Sequence, residues 1–335
     1  MPSICATFAP YLLIHTKMSS ENTTHILTQT VDHLSELYAL KGLFHEHREG
    51  DPLPSGKALE EIVELARATI FPGFYGHSSV KSQTLKYQIG VNIERMHKLL
   101  SQQILAGLCF GLTAEDAAAC GCQKAESDIC LEHASDLATK LIAKLPEIRA
   151  TLATDIKAAY DGDPAATSMG EIISCYPVIK ALINYRIAHE LHLLGVPLIP
   201  RMMTEMAHSE TGIDIHPAAT IGKYFTIDHG TGVVIGATCI IGDHVKLYQG
   251  VTLGAISFPL DDEGNPIKGI PRHPILKDNV VIYANATVLG RVTIGENCVV
   301  GANVWVTRNM RANTRKYNKE KIDNLDIEFN HGTGI

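Results

Sequence analysis

The chain has 335 residues, of which 45% are hydrophobic and 19% charged, a balance typical of a folded globular protein long enough for two domains. Its formal net charge of −7 argues against a nucleic-acid partner, because phosphate recognition calls for a basic surface. No apolar run approaches the roughly 20 residues that a membrane-spanning helix needs, so we expect no membrane partner either.

The first residues, 1–20, are predicted to be a disordered leader. An apolar stretch runs from Ile4 to Ile14, but no basic residue precedes it and no small-residue cleavage site clearly follows it. This pattern disfavours a secretory signal peptide. A true start at Met18 is the alternative.

Cysteine usage indicates a cytoplasmic protein with reduced thiols, because the eight cysteines are scattered and form no framework. The one cluster, Cys120, Cys122 and Cys130, lacks a C-x-x-C pair and a fourth metal ligand. We interpret these cysteines as small side chains packed between helices.

Residues 21–208 are predicted to form an α-helical domain. Apolar residues recur three or four positions apart in Thr23–His47, and Ser55 is suited to cap the next helix. Gly195 ends the last helix. The other predicted helices are Val80–Cys109, Leu131–Leu145, Pro146–Tyr160 and Pro177–Leu194.

From Ile213 onward the aliphatic residues follow a six-residue period, which neither a helix nor an ordinary strand produces. This hexapeptide repeat predicts a parallel β-helix over 209–310, with three short strands per coil and the aliphatic side chains stacked inside. Residues 311–335 then form a basic segment and a flexible tail. The repeated positions are Ile215, Ile221, Ile227, Ile235, Ile241, Leu247, Leu253, Leu276, Ile282, Val288, Ile294, Val300 and Val306.

Two breaks in this period predict surface loops, since a solenoid accepts insertions only on its outside. A step of eight falls at 228–232, and a longer loop insertion occupies 255–273. Each loop contains a histidine, His229 in the first and His273 in the second. Loops that project from a rigid scaffold often carry the chemistry, so both are candidate sites.

His229 is the candidate general base. Asp214 lies fifteen residues earlier, close to one coil of eighteen, so we expect its carboxylate in the adjacent layer, ~4.8 Å away. There it would hold one imidazole nitrogen protonated and leave the other free to accept a proton. Acyl transfer to a hydroxyl needs such a base. The alternative is a surface histidine with a local hydrogen bond.

His216 and His244 are interpreted as structural residues. A γ-class carbonic anhydrase would place three zinc-binding histidines on the same kind of solenoid, two of them as H-x4-H. No such pair occurs after residue 208. We therefore expect no metal cofactor.

Several motifs resemble those of the serine acetyltransferase family. They are Tyr185–His189, Asp214–Ala219, Asp228–Gly236, Val251–Gly254 and Arg272–Pro274, together with Asp155–Ala158, Asp163–Ala166 and the ending Gly332–Ile335. The resemblance covers roughly residues 146–310 and the last few. It implies an α+β chain, in which an N-terminal α-helical domain precedes a left-handed parallel β-helix.

The resemblance implies that the chain acetylates the hydroxyl of L-serine with acetyl-CoA, giving O-acetylserine for cysteine biosynthesis. His229 would be the general base and Asp214 its orienting partner. An arginine fork suits the carboxylate of an amino acid and an aspartate suits its ammonium group. The residues implied for serine binding are Asp163, Asp228, Arg272 and His273.

The resemblance also implies partners. In this family the serine sites lie between neighbouring β-helices, so we expect a homotrimer or a dimer of trimers. L-cysteine would compete with serine as a feedback inhibitor, and the C-terminal Ile335 would bind O-acetylserine sulfhydrylase. Small side chains would let acetyl-CoA approach the backbone at Gly254, Ala255, Ala284 and Ala302.

Two segments depart from the family pattern. Ser257–Ile270 replaces a shorter glycine-rich connection. A basic run from Arg308 to Lys321 is interpreted as a solvated helix, or alternatively as a screen for the phosphates of CoA. Two other functions stay open: an acyltransferase for homoserine or a sugar, and a non-enzymatic regulator of the sulfhydrylase.

Overall fold

The computed structural model describes residues 9–35, 52–76, 79, 81–111, 128–257 and 259–318. The chain divides into two compact units, 1–49 and 50–335. In the first unit helix α1 spans Ala9–Ser35, so the segment predicted to be a disordered leader is helical from Ala9. Helix α1 has no glycine, and its one proline, Pro10, lies in the first turn, where a helix tolerates it.

The helical part of the second unit contains six described helices. The predicted cap at Ser55 is confirmed, because its side chain accepts a hydrogen bond from the Ala58 amide at 3.3 Å. Cys120 and Cys122 lie outside the described residues. The helices are α2 (Gly56–Ile70), α3 (Ser82–Gly111), α4 (Asp128–Gly162), α5 (Met169–Cys175), α6 (Pro177–Leu193) and α7 (Ile199–Thr211). None of the described helices is both long and apolar enough to cross a membrane.

Helix α4 runs unbroken where the sequence predicted two helices meeting at Pro146. Proline costs the helix one backbone hydrogen bond. The buried face nevertheless continues across it at helical spacing, through Leu141, Leu145, Ile148 and Leu152. Packing of that continuous apolar face outweighs the local preference for a break.

The rest of the unit is a parallel β-helix whose fourteen described strands contain two or three residues each. The strands are β1 (Asp214–Ile215), β2 (Thr220–Ile221), β3 (Thr226–Asp228), β4 (Val234–Ile235), β5 (Ile240–Ile241), β6 (Lys246–Tyr248), β7 (Thr252–Gly254), β8 (Ile275–Leu276), β9 (Val281–Ile282), β10 (Thr287–Leu289), β11 (Thr293–Ile294), β12 (Val299–Val300), β13 (Trp305–Val306) and β14 (Arg315–Lys316). The predicted fold, a helical domain followed by a hexapeptide-repeat β-helix, is confirmed.

These strands form three flat faces. Face I has the order β1-β4-β7-β10-β13, face II the order β2-β5-β8-β11, and face III the order β3-β6-β9-β12-β14. Every pair is parallel. We name each corner by the faces it joins in chain order: I/II, II/III and III/I.

The aliphatic positions of the repeat all point inward, as predicted. Each of them, from Ile215 to Val306, is at most 7% exposed. The glycines that follow them serve close stacking between coils, because a Cβ at Gly222 would lie 2.3 Å from the Asp243 carboxylate. Left-handed backbone is taken instead by other corner residues, among them His229 and Asn285.

The first phase break lengthens the first coil. Asp214 pairs with Val234, twenty residues later, whereas Val234 pairs with Thr252, eighteen later. The two extra residues form a bulge at corner III/I that contains His229. The predicted loop at 228–232 is therefore confirmed.

The second phase break is an exposed loop between β7 and β8. An antiparallel bridge joins Leu260 to Pro266, and Asp261 Oδ1 accepts hydrogen bonds from the amides of Glu263 and Asn265 at 3.0 and 2.8 Å. The coil resumes at β8, which pairs with β5 as though nothing had been inserted.

The β-helix runs to Lys316, past the predicted end at residue 310. Strand β14 pairs with β12, placing Arg315 opposite Val299. The predicted basic helix is therefore wrong for the described residues up to 318, because their backbone completes another coil while Arg315 and Lys316 stay exposed. Residues 319–335 lie outside the described part.

A buried ion pair fixes the helical domain to the first coil. Arg186 on α6 donates to both carboxylate oxygens of Asp155 on α4, at 2.7 and 3.0 Å. Asp155 also accepts from the Phe225 amide at 3.0 Å, and Arg186 donates to the Gly222 carbonyl at 2.9 Å. Bidentate geometry of this kind sets the orientation of both elements.

Candidate active site

The outer side of β3 and β6 is covered by the end of α4 and by the segment that follows it. Asp163, just beyond α4, accepts a hydrogen bond from the Tyr176 hydroxyl at 2.5 Å and one from the Ala165 amide at 2.8 Å. The Tyr176 bond, aided by that amide and by the charges of Lys246 and His229, holds the pKa of Asp163 below its usual value. Asp163 is therefore a carboxylate at neutral pH.

Asp228, the last residue of β3, faces the same small cleft as Asp163. Its Oδ2 lies 3.0 Å from Lys246 Nζ, and both side chains are about 15% exposed. Because strand side chains alternate, the buried Ile227 directs Asp228 outward from the coil. The cleft is lined by Ala159, Asp163, Tyr176, Thr226, Ile227, Asp228 and Lys246.

His229 lies directly after Asp228 at corner III/I. Its backbone is left-handed, with φ of 56°, and its side chain is 61% exposed. Nε2 lies 4.0 Å from Asp228 Oδ1. The tight stacking of Gly230 on Ile213 fixes the bulge, since a Cβ there would lie 2.5 Å from the Ile213 side chain. An exposed imidazole on a fixed bulge beside two carboxylates is suited to accept a proton from a bound ligand.

The structure does not join Asp214 to His229. Asp214 sits opposite Val234 in the next coil, and its Oδ1 lies 3.4 Å from Arg201 Nη1. The expectation of ~4.8 Å assumed an eighteen-residue coil, whereas this coil has twenty and sets Asp214 against a residue beyond the bulge. Among the described residues no ion pair links Asp214 to His229, so its orienting role stays a prediction.

Arg272 and His273 lie at corner I/II, packed around Thr238. The amides of both residues donate to Thr238 Oγ1, at 2.9 and 3.0 Å. His273 is 7% exposed, and its Nδ1 accepts from the Thr238 amide at 3.1 Å. The proton of the neutral ring is then on Nε2. Burial and the charges of Arg272 and Arg291 lower the pKa of His273, which keeps the ring neutral.

His216 occupies the same corner I/II two coils below His273. Its Nδ1 accepts from the Ala218 amide at 3.1 Å. Burial, then the charges of Arg201 and other neighbours, lower the pKa of His216 to about 4. His244 lies at corner II/III, where its ring packs on Tyr224 with centroids 4.3 Å apart. These positions agree with a structural role for both histidines.

The predicted cofactor positions are divided between two corners. Gly254 ends β7 and Ala255 follows it at corner I/II, whereas Ala284 and Ala302 lie in successive coils of corner III/I. The Asn303 amide donates to the Ala284 carbonyl at 2.9 Å, which confirms that these two coils stack. Face I separates the two pairs, so one chain alone does not bring all four together.

One group of possible metal ligands occurs among the described residues. Ligand atoms of Glu205, His208 and Asp214 lie within 4.8 Å of one another. However, the Arg201 guanidinium pairs with both Glu205 and Asp214. A cation already in place satisfies these carboxylates, so we assign no metal there.

The predicted serine ligands therefore form two groups. Asp163, Asp228 and His229 make the acidic group at corner III/I, and Arg272 and His273 make the basic group at corner I/II. Sequence reasoning missed the residues that hold them, namely Tyr176, Lys246, Thr238 and Arg291. Strand register offered one signal, because β3 and β6 pair Thr226 with Lys246 and Asp228 with Tyr248, which makes Lys246 a diagonal neighbour of Asp228.

Comparison with known proteins agrees with this architecture. The family model "Bacterial transferase hexapeptide (six repeats)" matches residues 273–308. A plasmid-encoded serine acetyltransferase of Synechococcus elongatus is 48% identical over 78% of this chain and 80% of its own length. The serine acetyltransferase of Mycobacterium tuberculosis is 46% identical over 46% of this chain and 63% of its own.

A solved structure extends the similarity to the helical domain. Serine acetyltransferase 1 of Entamoeba histolytica, crystallised with L-cysteine, aligns with a TM-score of 0.65 and 34% identity, over 84% of this chain and 95% of that one. Hexapeptide coils with a histidine and carboxylates at one corner define an acyltransferase of the hexapeptide-repeat class. Within that class, the chain belongs to the serine acetyltransferase family.

Proposed function

We propose that this protein transfers the acetyl group of acetyl-CoA to the hydroxyl of L-serine, giving O-acetylserine for cysteine biosynthesis. One observation carries the proposal: the exposed His229 lies beside Asp228 and Asp163 at a single corner. Two carboxylates suit the ammonium group of an amino acid, and the adjacent imidazole suits its hydroxyl. The 48% identity to a serine acetyltransferase supports serine as that amino acid.

In the mechanism that we propose, His229 removes the proton of the serine hydroxyl as the oxygen attacks the thioester carbonyl. The tetrahedral oxyanion that forms then collapses and expels the CoA thiolate, which takes up the proton. No covalent acyl-enzyme is required. General-base catalysis contributes on the order of 10²–10⁴ in rate, and the orientation of both substrates contributes much of the rest.

The basic group suits the serine carboxylate. Arg272 offers a fork of N–H donors, and the Nε2–H of neutral His273 offers one further hydrogen-bond donor. One side of a coil is about six residues long, roughly 20 Å at ~3.3 Å per residue. Serine carries its ammonium and carboxylate groups on the same carbon, so it cannot reach both corners of one chain.

This separation supports a homotrimer, or a dimer of trimers, with each site shared by two chains. The acidic group of one chain would face the basic group of its neighbour across face I. Trp305 and Val234 on that face are 66% and 37% exposed. Tyr248, on face III, is only 6% exposed and stacks on Tyr283, with ring centroids 4.9 Å apart. The same arrangement would bring the divided acetyl-CoA positions into one cleft.

The same site suits L-cysteine as an inhibitor, because cysteine differs from serine only by sulfur in place of oxygen. The crystallised Entamoeba enzyme holds L-cysteine. We extend this competition with serine to the present protein. Thiols at Cys175, Cys239 and Cys298 support a reducing, cytoplasmic compartment.

The C-terminal Ile335 is proposed to bind O-acetylserine sulfhydrylase. A terminal carboxylate on a large aliphatic residue suits capture by a site that binds a carboxylate. Binding of a peptide of residues 326–335 to the sulfhydrylase tests this. Loss of affinity on removal of Ile335 supports the proposal, and equal affinity of the two peptides refutes it.

The release of CoA thiol from acetyl-CoA, followed with serine, homoserine or a sugar as acceptor, tests the proposed reaction. We expect turnover with serine to exceed turnover with the other acceptors by at least about 100-fold, because a site built for both charged groups of a small amino acid rejects poor fits. Preference for another acceptor would contradict the substrate. Absence of thiol release with every acceptor would favour the regulatory alternative.

A further inference from the structure

Lys246 occupies the centre of the cleft that holds the acidic group. Its Nζ lies 3.0 Å from Asp228 Oδ2, donates to the Gly162 carbonyl at 2.7 Å, and sits 4.5 Å from the centre of the Tyr248 ring. The side chain is only 16% exposed. A lysine buried to this extent and held on three sides is not a solvated surface charge.

The contacts of Lys246 join the two domains at the site. Gly162 ends α4 and directly precedes Asp163, while Asp228 ends β3. The lysine stem packs on Gly162, where a Cβ would lie 3.5 Å from Nζ. One ammonium group therefore fixes the position of both carboxylates relative to each other.

The charges in the cleft give a second argument. Asp163 and Asp228 carry two negative charges, and Lys246 supplies one positive charge, so the cleft has one uncompensated negative charge. Burial disfavours the charged amine, but hydrogen bonds to Tyr248 and Asp228 outweigh it and raise the pKa of Lys246. The remaining charge matches a single ammonium group of a ligand.

We propose that Lys246 is a positioning residue for the substrate ammonium group. It holds Asp228 by Oδ2 and keeps Oδ1 turned toward His229. It also leaves the cleft with one uncompensated negative charge. This inference rests on the proposed function, since the ammonium group is that of serine. It adds a residue that binds no substrate itself but sets the selectivity for a singly charged amine.

Kinetics of Lys246→Met test the inference. Loss of the charged hydrogen bond frees Asp228, so we expect the serine KM to rise at least about tenfold while the acetyl-CoA KM changes less than about twofold. Charge alone predicts the opposite, because removal of a positive neighbour should favour an ammonium ligand. Lys246→Arg, which keeps the charge, should fall between the wild type and Lys246→Met.

The control is Lys223→Met, because Lys223 is an exposed lysine at corner II/III of the preceding coil. It should leave both KM values unchanged. If Lys246→Met does not fold, the serine KM of Lys246→Gln tests the inference in the same way, because glutamine keeps a donor for the Gly162 carbonyl without the charge. An unchanged or lowered serine KM in a folded variant overturns the inference while the wild type remains active. A wild type without serine turnover overturns the proposed function and the inference with it.

Discussion

At the scale of single residues, the site depends on side chains whose charge is set by their neighbours. The Tyr176 hydroxyl keeps Asp163 ionised, and the Lys246 ammonium group lies 3.0 Å from Asp228 Oδ2. His273 is kept neutral by burial. Among these six side chains only His229 is largely exposed, so it remains available to a ligand.

His229→Ala should lower kcat by at least ~10², the lower limit for loss of a general base, and should leave the serine KM largely unchanged. Steady-state thiol release checks both constants. Asp214→Asn should cost less, because it changes the support of the base and leaves the base in place. Near-normal turnover of His229→Ala would rule out the mechanism.

Stability at acid pH should depend on His216. Its pKa is about 4 in the folded chain, where burial and the charges of Arg201, His192, His273 and Arg272 disfavour protonation, and ~6.5 in the unfolded chain. Between these values the unfolded state binds more protons. The free energy of unfolding therefore falls as the pH drops from about 6.5 to about 4.

His216→Asn should reduce this pH dependence, since the asparagine oxygen can accept the Ala218 amide and does not titrate. Urea unfolding at pH 7.5 and pH 5 measures the effect in both proteins. The loss of stability on acidification should be smaller in the variant. An equal loss would mean that His216 does not contribute.

At the scale of elements, the hexapeptide coil could be predicted from sequence because one inward aliphatic residue recurs every six positions. Each of these positions is buried, and both phase breaks are loops. The corner on which each site residue lies was harder to predict. It depends on how many residues each coil contains, and the twenty-residue first coil pairs Asp214 with Val234, beyond the bulge that contains His229.

Other features could not be predicted because tertiary packing decides them. Helix α4 continues through Pro146 owing to its buried face, and β14 continues the β-helix by pairing with β12 despite its basic side chains. Lys246 gave no signal by itself. Its role appeared only once Gly162 and Asp228 were found on either side of it.

The packing of Gly236 against His273 gives a prediction at this scale. A Cβ at Gly236 would lie 2.1 Å from the imidazole ring, so Gly236→Ala must displace His273. We expect the serine KM to rise at least about tenfold through lost hydrogen bonding to the carboxylate. Steady-state kinetics with varied serine measures this.

Gly295→Ala is the matched control, because its Cβ would meet the Ala312 amide nitrogen at 2.4 Å at corner II/III, away from both site groups. It should lower the melting temperature without raising the serine KM of the folded protein. A similar serine KM in both variants would show that Gly236 has no specific role in the site.

At the scale of the whole molecule, a rigid connection holds the helical domain on the β-helix. The Asp155–Arg186 pair, the Tyr185 hydroxyl on the Ala219 carbonyl at 2.6 Å, and Lys246 on Gly162 all cross this boundary. Asp163 of the helical domain is thereby placed beside Asp228 of the β-helix. The acidic group thus depends on both domains, and in the proposed trimer the basic group would come from the β-helix of a neighbouring chain.

Subunit complementation tests this division most directly. Chains with His229→Ala and chains with Arg272→Ala are each expected to be nearly inactive. Co-expressed in equal amounts, they should form mixed trimers in which about one quarter of the sites combine an intact acidic group with an intact basic group from the next chain. Serine acetylation should therefore recover to about a quarter of the wild-type rate. Mixed trimers with no more activity than the separate variants would contradict a site shared between chains.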